Sequence, residues 1–376
     1  MKTNTKAIMK SDMKINAKIK MKSDMKTTTK AKMKTKMMKT KIKKTMKTKT
    51  KIDMKKRAKT RKKNKKRKVN KLVTHDGSFH SDDIFACATL LLLLQKKDKD
   101  FVLFRTRDKK IISEGDFVFD VGGIYDEARN RFDHHQNDFH EKRFVLEEED
   151  KKAKHSFPYS SFGLVWKKFG VKLSGGEKEA KMIEDKLVAP IDAFDNGFDL
   201  VKSKYSVSPY YLQRLFMAMR PTWRENRVSN DEMFLKSVKI AREILEREII
   251  LSRDAVLAEK AILHAYKKAK DKRIIILDKN YDYEYEVLNN FPELLFIIYP
   301  RFDSFFGVKA VRKKARTFAN KKNFPKKWGG LREDELVKVS GVSDAVFCHK
   351  ALFLAVAKSL EGAISLAKKA LNERLC

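Results

Sequence analysis

Residues 71–94 read KLVTHDGSFHSDDIFACATLLLLL. A short apolar run leads into a turn containing Gly77, and an unbroken apolar stretch of 11 residues, Ile84–Leu94, follows almost at once. A strand, a tight turn and a helix fit that order, since the first run is short and the second long and uninterrupted. A helix that is apolar all round has to be covered on every side. The stretch is also far shorter than the roughly 20 residues that span a bilayer. The opening therefore requires a buried helix packed on a sheet.

The segments that follow extend the alternation. FVLFRTRD (101–108) and FVFDVGG (117–123) read as buried strands, rich in β-branched and aromatic residues and closed by charge or glycine. Helical patterns come at about 160–170, 177–195 and 209–219. Strands and helices in turn predict an α/β fold, a mostly parallel sheet covered on both faces. Residues 230–269 carry an almost uninterrupted helical pattern without Gly or Pro. RIIIL (273–277), LLFIIY (294–299), FFGVKAV (305–311) and AVFCHK (345–350) then read as strands, with a closing helix near 361–374. The expected organisation is a first domain at 71–229, a helical connector at 230–270 and a smaller mixed α/β domain at 271–376.

Ahead of these lies a segment of another kind. The formal net charge of +37 is concentrated in residues 1–71, which hold 28 Lys and 3 Arg against 3 Asp, with no aromatic residue and no glycine. Such a composition cannot bury enough apolar surface to offset its ordering entropy, so residues 1–70 are expected to be disordered. A polycation can hold nucleic acid or acidic partners through counterion release. KKRAKTRKKNKKRK (55–68) also resembles a nuclear or nucleolar address. A low-complexity extension, with the true start at Met54, is the bland alternative. Cys87, Cys348 and Cys376 show no CxxC spacing, which argues against a disulfide framework and fits a reducing compartment. The cytoplasm is the expected location, with the nucleus, nucleolus or mitochondrion as alternatives.

The polar residues of the first domain crowd the strand ends. Of 8 histidines, 4 fall in two short segments: His75 and His80 in THDGSFHSDD, and His134 and His135 in FDHHQ. Asp82 and Asp83 lie in the first of these segments and Asp133 in the second, Asp120 ends a predicted strand, and APIDAFDNGFD (189–199) supplies Asp192 and Asp195. In parallel sheets the ligand crevice lies off the carboxyl ends of the strands, so one crevice can collect them all. Any one of these residues is more ordinarily a turn, a cap or a solvated side chain. Together they make a mixed imidazole and carboxylate set, which suits Mn²⁺, Fe²⁺ or Zn²⁺ better than an all-oxygen Mg²⁺ or Ca²⁺ site.

THDGSFHSDD, FDVGG, FDHHQ and IDAFDNG, in this order, resemble the melanocyte-proliferating-gene (MYG) family of metal-dependent hydrolases and exonucleases, itself akin to the DHH phosphoesterases. RPTW (220–223), WGGLREDEL (328–336), VSGV (339–342) and EGAISLAKKAL (361–371) extend the likeness over about residues 72–372. The resemblance implies a DHH-like first domain and a second domain that binds substrate. It implies that His75, His80, Asp82, Asp120, His134 and Asp195 hold metal, with Asp120 bridging two ions and Asp192 a weaker candidate. His135 would contact phosphate, and Asp133 would support the turn or the metal; these two form the catalytic pair. Mn²⁺ is the expected ion, with Mg²⁺ or another divalent cation as alternatives. Gly329, Gly330, Arg332, His349 and Lys358 would grip substrate in the second domain.

Two departures stand out. Where the family closes its first motif with CDE, this chain has Ser81-Asp82-Asp83. Where it carries a glycine-rich stretch after the histidine of FCHK, this chain has ALFLAVAKS (351–359), with Leu352, Ala355 and Val356 in place of glycines. Trp223 and Trp328 are candidates to stack bases, although the buried core is the more ordinary place for each. The reading reached from the sequence is a metal-dependent phosphodiesterase, a 3′→5′ exonuclease on RNA. The alternatives are a hydrolase of small phosphate compounds, such as a dinucleotide or pyrophosphate, and a non-catalytic nucleic-acid-binding protein.

Overall fold

The computed structural model describes residues 68–97, 99–147, 152, 154–202, 205–281, 290–314 and 317–373. The tail expected to be disordered therefore lies outside the described residues, apart from 68–70. Its expected boundary also shifts, because the first strand already includes Asn70, which pairs with Phe101 and donates to the Asp100 carbonyl.

The first half of the chain runs β1 (Asn70–Thr74), α1 (Ser81–Lys96), β2 (Phe101–Arg105), a short α2 (Lys109–Ser113), β3 (Phe117–Phe119), β4 (Tyr125–Asp126) and β5 (Arg131–Phe132). An antiparallel pair follows, β6 (Lys142–Leu146) and β7 (Lys154–Pro158). Then come α3 (Ser161–Ser174), α4 (Glu177–Ile183), a π-helical turn (Glu184–Val188), α5 (Ala189–Asp195) and α6 (Leu212–Ala218). The main sheet has the order β2-β1-β3-β5-β4. β1 pairs in parallel with β2 and β3, β3 with β5 likewise, and only β4 runs antiparallel. The hydrophobic run 84–94 does form the expected helix, α1, whose Phe85 stacks on Phe162 of α3 and meets Phe216 of α6 edge-on. Each such fully buried aromatic contributes on the order of 1.5–3 kcal/mol. β2 is not the buried strand expected: it forms the edge of the sheet, and Phe101 is 46% exposed.

α7 (Asn230–Lys268) is one helix of 39 residues, capped by the Ser229 hydroxyl, which accepts from the Asp231 amide. Phe234, Val238 and Leu245 on its first half belong to the core around α1. Ala258 and Ile262 on its second half pack instead with Ile275, Leu294 and Ile297. Beyond it come β8 (Ile274–Ile276), β9 (Phe296–Pro300), β10 (Phe306–Ala310), a 3₁₀ turn (Lys326–Trp328), α8 (Glu333–Ser340), β11 (Ala345–Cys348), β12 (Leu354–Ala357) and α9 (Leu360–Asn372). Their sheet has the order β11-β12-β10-β9-β8, with β8 and β9 parallel and the other pairs antiparallel.

The middle of the altered stretch 351–359 is β12. Ala355 and Val356 are buried ladder residues paired with Val308 and Gly307, so side chains there complete a sheet. Only Leu352, at φ +60°, occupies a backbone conformation in which a glycine would be unstrained. No helix among the described residues is long and apolar enough to cross a membrane.

Candidate metal centre

Three adjacent parallel strands empty onto the same sheet edge. β1 delivers His75, β3 delivers Asp120, and β5 delivers Asp133, His134 and His135. The first turn of α1 adds Asp82 and Asp83, and the last residue of α5 is Asp195. Asp120 holds φ +54°, the left-handed region that side chains avoid, and its amide donates to the Phe132 carbonyl at 3.2 Å. Such strain persists only where the surroundings over-determine it, and it clusters at functional sites.

The side chains converge as three overlapping groups. His75, Asp83 and Asp120 form one, Asp120, His134 and His135 a second, and His80, Asp82 and Asp195 a third; within each group the candidate ligand atoms lie within 4.8 Å of one another. His75 Nε2 sits 3.0 Å from Asp120 and 3.3 Å from Asp83, while its Nδ1 accepts the Gly77 amide at 3.1 Å and so fixes the ring. His134 Nε2 lies 3.3 Å from Asp195, 3.5 Å from Asp120 and 4.0 Å from Asp82. Asp120 belongs to two groups, the position a bridging carboxylate would take.

Electrostatically the cluster is short of positive charge. Burial, then the neighbouring charges of Asp120, Asp195 and Asp83, drive Asp82 well above the usual carboxylate range. Burial raises Asp83 and Asp195 as well. Burial pulls His75 down, but its hydrogen bonds to Asp120 and Asp83 outweigh that and hold it at about 9. Both oxygens of Asp82 and Nε2 of His134 are buried without a hydrogen-bond partner. A buried carboxylate left this way costs several kcal/mol. Divalent cations fit the donor set: they would satisfy the orphaned atoms, offset the crowded carboxylates and displace the proton from His75.

Two expected residues are already engaged within the fold. Asp192, offered as a metal candidate, is fully buried and already occupied: Arg143 Nε donates to it at 2.6 Å, Ser160 Oγ at 2.6 Å, and the Ser160 and Gly163 amides at 3.2 and 3.1 Å. A Cβ at position 163 would collide with both its oxygens, so the glycine is what lets this carboxylate seat against α3. Asp133 is likewise engaged: Oδ1 accepts the His134 and His135 amides and lies 2.7 Å from His135 Nδ1, and Oδ2 accepts the Gly123 amide at 2.5 Å. It shapes the turn and orients His135, whose side chain remains 62% exposed at the mouth of the cluster. That hydrogen bond raises the His135 pKa, burial opposing.

Asp83, counted among the crowded carboxylates but not among the expected ligands, faces the cluster directly. It does double duty, with Oδ1 accepting the His80 amide at 2.9 Å as a helix cap and Oδ2 facing His75. An acid three residues after the capping residue is the signal that hid it, because capping alone explains such an acid.

On the second sheet, Gly330 donates to the Cys348 carbonyl at 2.9 Å, and Arg332 forms a β-bridge to Phe347 with its guanidinium 4.7 Å from that ring. Gly329 adjoins them, and His349 leans on Phe353 at 4.4 Å. Lys358 is not part of this group: its amide bonds to Asp344, at the opposite end of the β11–β12 pair. Trp328 is buried, whereas Trp223 is 84% exposed.

Comparison with known proteins bears on this geometry. The family described as Uncharacterised protein family (UPF0160) matches residues 71–371. The MYG1 protein of Caenorhabditis elegans is 31% identical over 333 residues, covering 80% of this chain and 94% of that protein. The MYG1 exonuclease of Homo sapiens is 28% identical over 341 residues, covering 82% and 89% respectively. Among solved structures, an exopolyphosphatase-related protein of Bacteroides fragilis is 12% identical with a TM-score of 0.21, covering 80% of this chain and 91% of that one.

Proposed function

Since the chain belongs to the Uncharacterised protein family (UPF0160), whose relatives include the human MYG1 exonuclease, we propose that it is a metal-dependent phosphodiesterase that removes nucleotides from the 3′ end of RNA. The observation that carries this reading is the pair at the centre of the cluster, the Asp82 carboxylate and His134 Nε2, buried beside Asp83, Asp120 and Asp195 and without a hydrogen-bond partner. His75, His80, Asp82, Asp83, Asp120, His134 and Asp195 are the residues that would hold the ions, and Asp120, shared by two of the ligand groups, supports a pair of them.

Ions held there would activate a water and neutralise charge on the phosphoryl oxygens during in-line displacement. The chain's own contribution is positional. Asp133 fixes the His135 ring at the mouth of the site, where the exposed imidazole can donate to a phosphate oxygen. No serine or cysteine nucleophile is required. On the second sheet, Arg332 presents a planar donor fork suited to a phosphate further along the strand, with Gly330 beside it.

The test uses the full-length protein, stripped with chelator and resupplied with Mn²⁺ or Mg²⁺, on 3′- and 5′-labelled RNA, on DNA and on a dinucleotide. Metal-dependent release of mononucleotides from the RNA 3′ end is the expected result. Hydrolysis of the dinucleotide alone would replace RNA by a small phosphate ester as substrate, and no hydrolysis of any of them at full metal loading would overturn the reading.

A further inference from the structure

The chain has three tryptophans, and Trp166 and Trp328 are buried at 2% and 1% exposure while Trp223 is 84% exposed. A single exposed apolar residue needs no explanation by itself. The setting of this one does. Pro221 fixes its own φ, and the turn closes reciprocally: the Thr222 amide donates to Glu225 Oε2 at 2.7 Å and the Glu225 amide to the Thr222 carbonyl at 3.0 Å. The indole is therefore displayed on an ordered turn.

That turn is fastened to the metal centre. Arg220 Nε donates to the Phe79 carbonyl at 2.8 Å, and Phe79 immediately precedes His80. Three peptide links, at most about 11 Å, separate the Trp223 backbone from that anchored arginine. Arg220 also keeps Nη2 buried without a hydrogen-bond partner, next to the carboxylate cluster. The local charge is basic: Arg214, Arg220, Arg224 and Arg227 lie within residues 212–228 against Glu225 alone, and Glu225 is engaged by Thr222. The Arg224 guanidinium stands 4.9 Å from the indole ring.

We infer that Trp223 is a stacking platform for a base of single-stranded nucleic acid, with Arg224 meeting an adjoining phosphate; the inference rests on the phosphodiesterase reading above. Every base has a π-face, so a lone aromatic among arginines binds strands without reading their sequence. A bare polyphosphate or inorganic pyrophosphate would gain nothing from the indole. The platform thus makes the substrate class nucleic acid rather than phosphate chains in general.

The test is a fluorescence titration of the full-length protein in chelator, where no hydrolysis intervenes, at high salt to suppress binding by the lysine-rich tail. A six-residue oligouridylate is compared with an abasic ribose-phosphate oligomer of the same length. The oligouridylate is expected to quench emission and the abasic oligomer not, and the quench should vanish in Trp223→Phe while affinity is retained. Trp223→Ala should bind the oligouridylate roughly 5- to 100-fold more weakly, the loss of one base stack. Equal quenching by both oligomers, or unchanged affinity in Trp223→Ala, would overturn the inference. Base-dependent quenching in a protein that hydrolyses nothing would sink the phosphodiesterase reading and leave the platform standing; hydrolysis without such quenching would do the reverse.

Discussion

Asp82 and Asp192 are both fully buried aspartates near helix ends in the same half of the molecule, and their surroundings are opposites. Around Asp192 every acceptor is used: an arginine, a hydroxyl and two amides converge on it, tying β6, α3 and α5 together. Burial still lifts its pKa to about 6, against the pull of Arg143 and Ser160, so it is ionised at neutral pH. Both oxygens of Asp82 lack a hydrogen-bond partner, and after burial the charges of other carboxylates act on it most. The first region is electrically complete as folded, while the second is completed only by something that binds. The partner set, more than burial or residue type, separates a carboxylate that holds a fold together from one that holds a ligand.

The largest expected effect breaks the second region. His134→Ala should abolish hydrolysis, beyond the roughly 10–100-fold loss that accompanies mutation of groups supporting a metal ligand, with bound metal falling in parallel and the circular dichroism spectrum unchanged. Normal metal content with normal turnover would remove His134 from the ligand set. Stability separates the two regions directly. In chelator, Asp192→Ala should cost about 3–5 kcal/mol in denaturant unfolding, because Arg143 keeps its buried charge and loses this partner, whereas Asp82→Asn should be neutral or stabilising because it removes an uncompensated charge. Adding Mn²⁺ at about 100 times its dissociation constant should stabilise the wild type by about 2.7 kcal/mol and the Asp82 variant by much less. Equal responses in the two proteins would erase the distinction drawn here.

Smaller effects lie further out. Arg332→Ala should weaken binding of a short oligonucleotide by about 1–3 kcal/mol, read as KM, with metal content unchanged. Unchanged kinetics would take the second sheet out of substrate binding. The smallest effect is expected from deletion of residues 1–67, which should leave dinucleotide turnover nearly untouched while flattening the salt dependence of binding to long RNA.

Much of this was legible before the fold was known. The alternation after residue 71 yields the parallel sheet, and crowding of His and Asp at strand ends collects the candidates, from which the resemblance singles out six of the seven proposed ligands. Asp192 was misread for a physical reason: its partners Arg143 and Ser160 lie 49 and 32 residues away in sequence, and no local pattern reveals such pairing. Asp83 was placed among the carboxylates but not among the ligands, because a capping acid and a ligand look alike until the free oxygen is located. β2 looked buried because its apolar residues resemble those of a central strand, and only the order of strands puts it at the edge. That Ala355 and Val356 lie in a strand was not legible, because missing glycines say nothing about pairing with β10 and β11.

The 39-residue helix α7 has one further consequence. At 1.5 Å per residue it is about 58 Å long, some twice the diameter of a small domain, and the side chains it lends to the first core and to the packing around β8 and β9 are joined by unbroken helix. Most proteins of two halves are joined by an exposed, irregular tether, where proteases nick and where gene fusion or fission can act. Here the junction is itself a folded element with buried Ser252 and Ala255 at its middle. Cutting it exposes apolar surface on both sides at once. Among the described residues, then, the two halves meet through a folded helix, and a cut within it is expected to destabilise both.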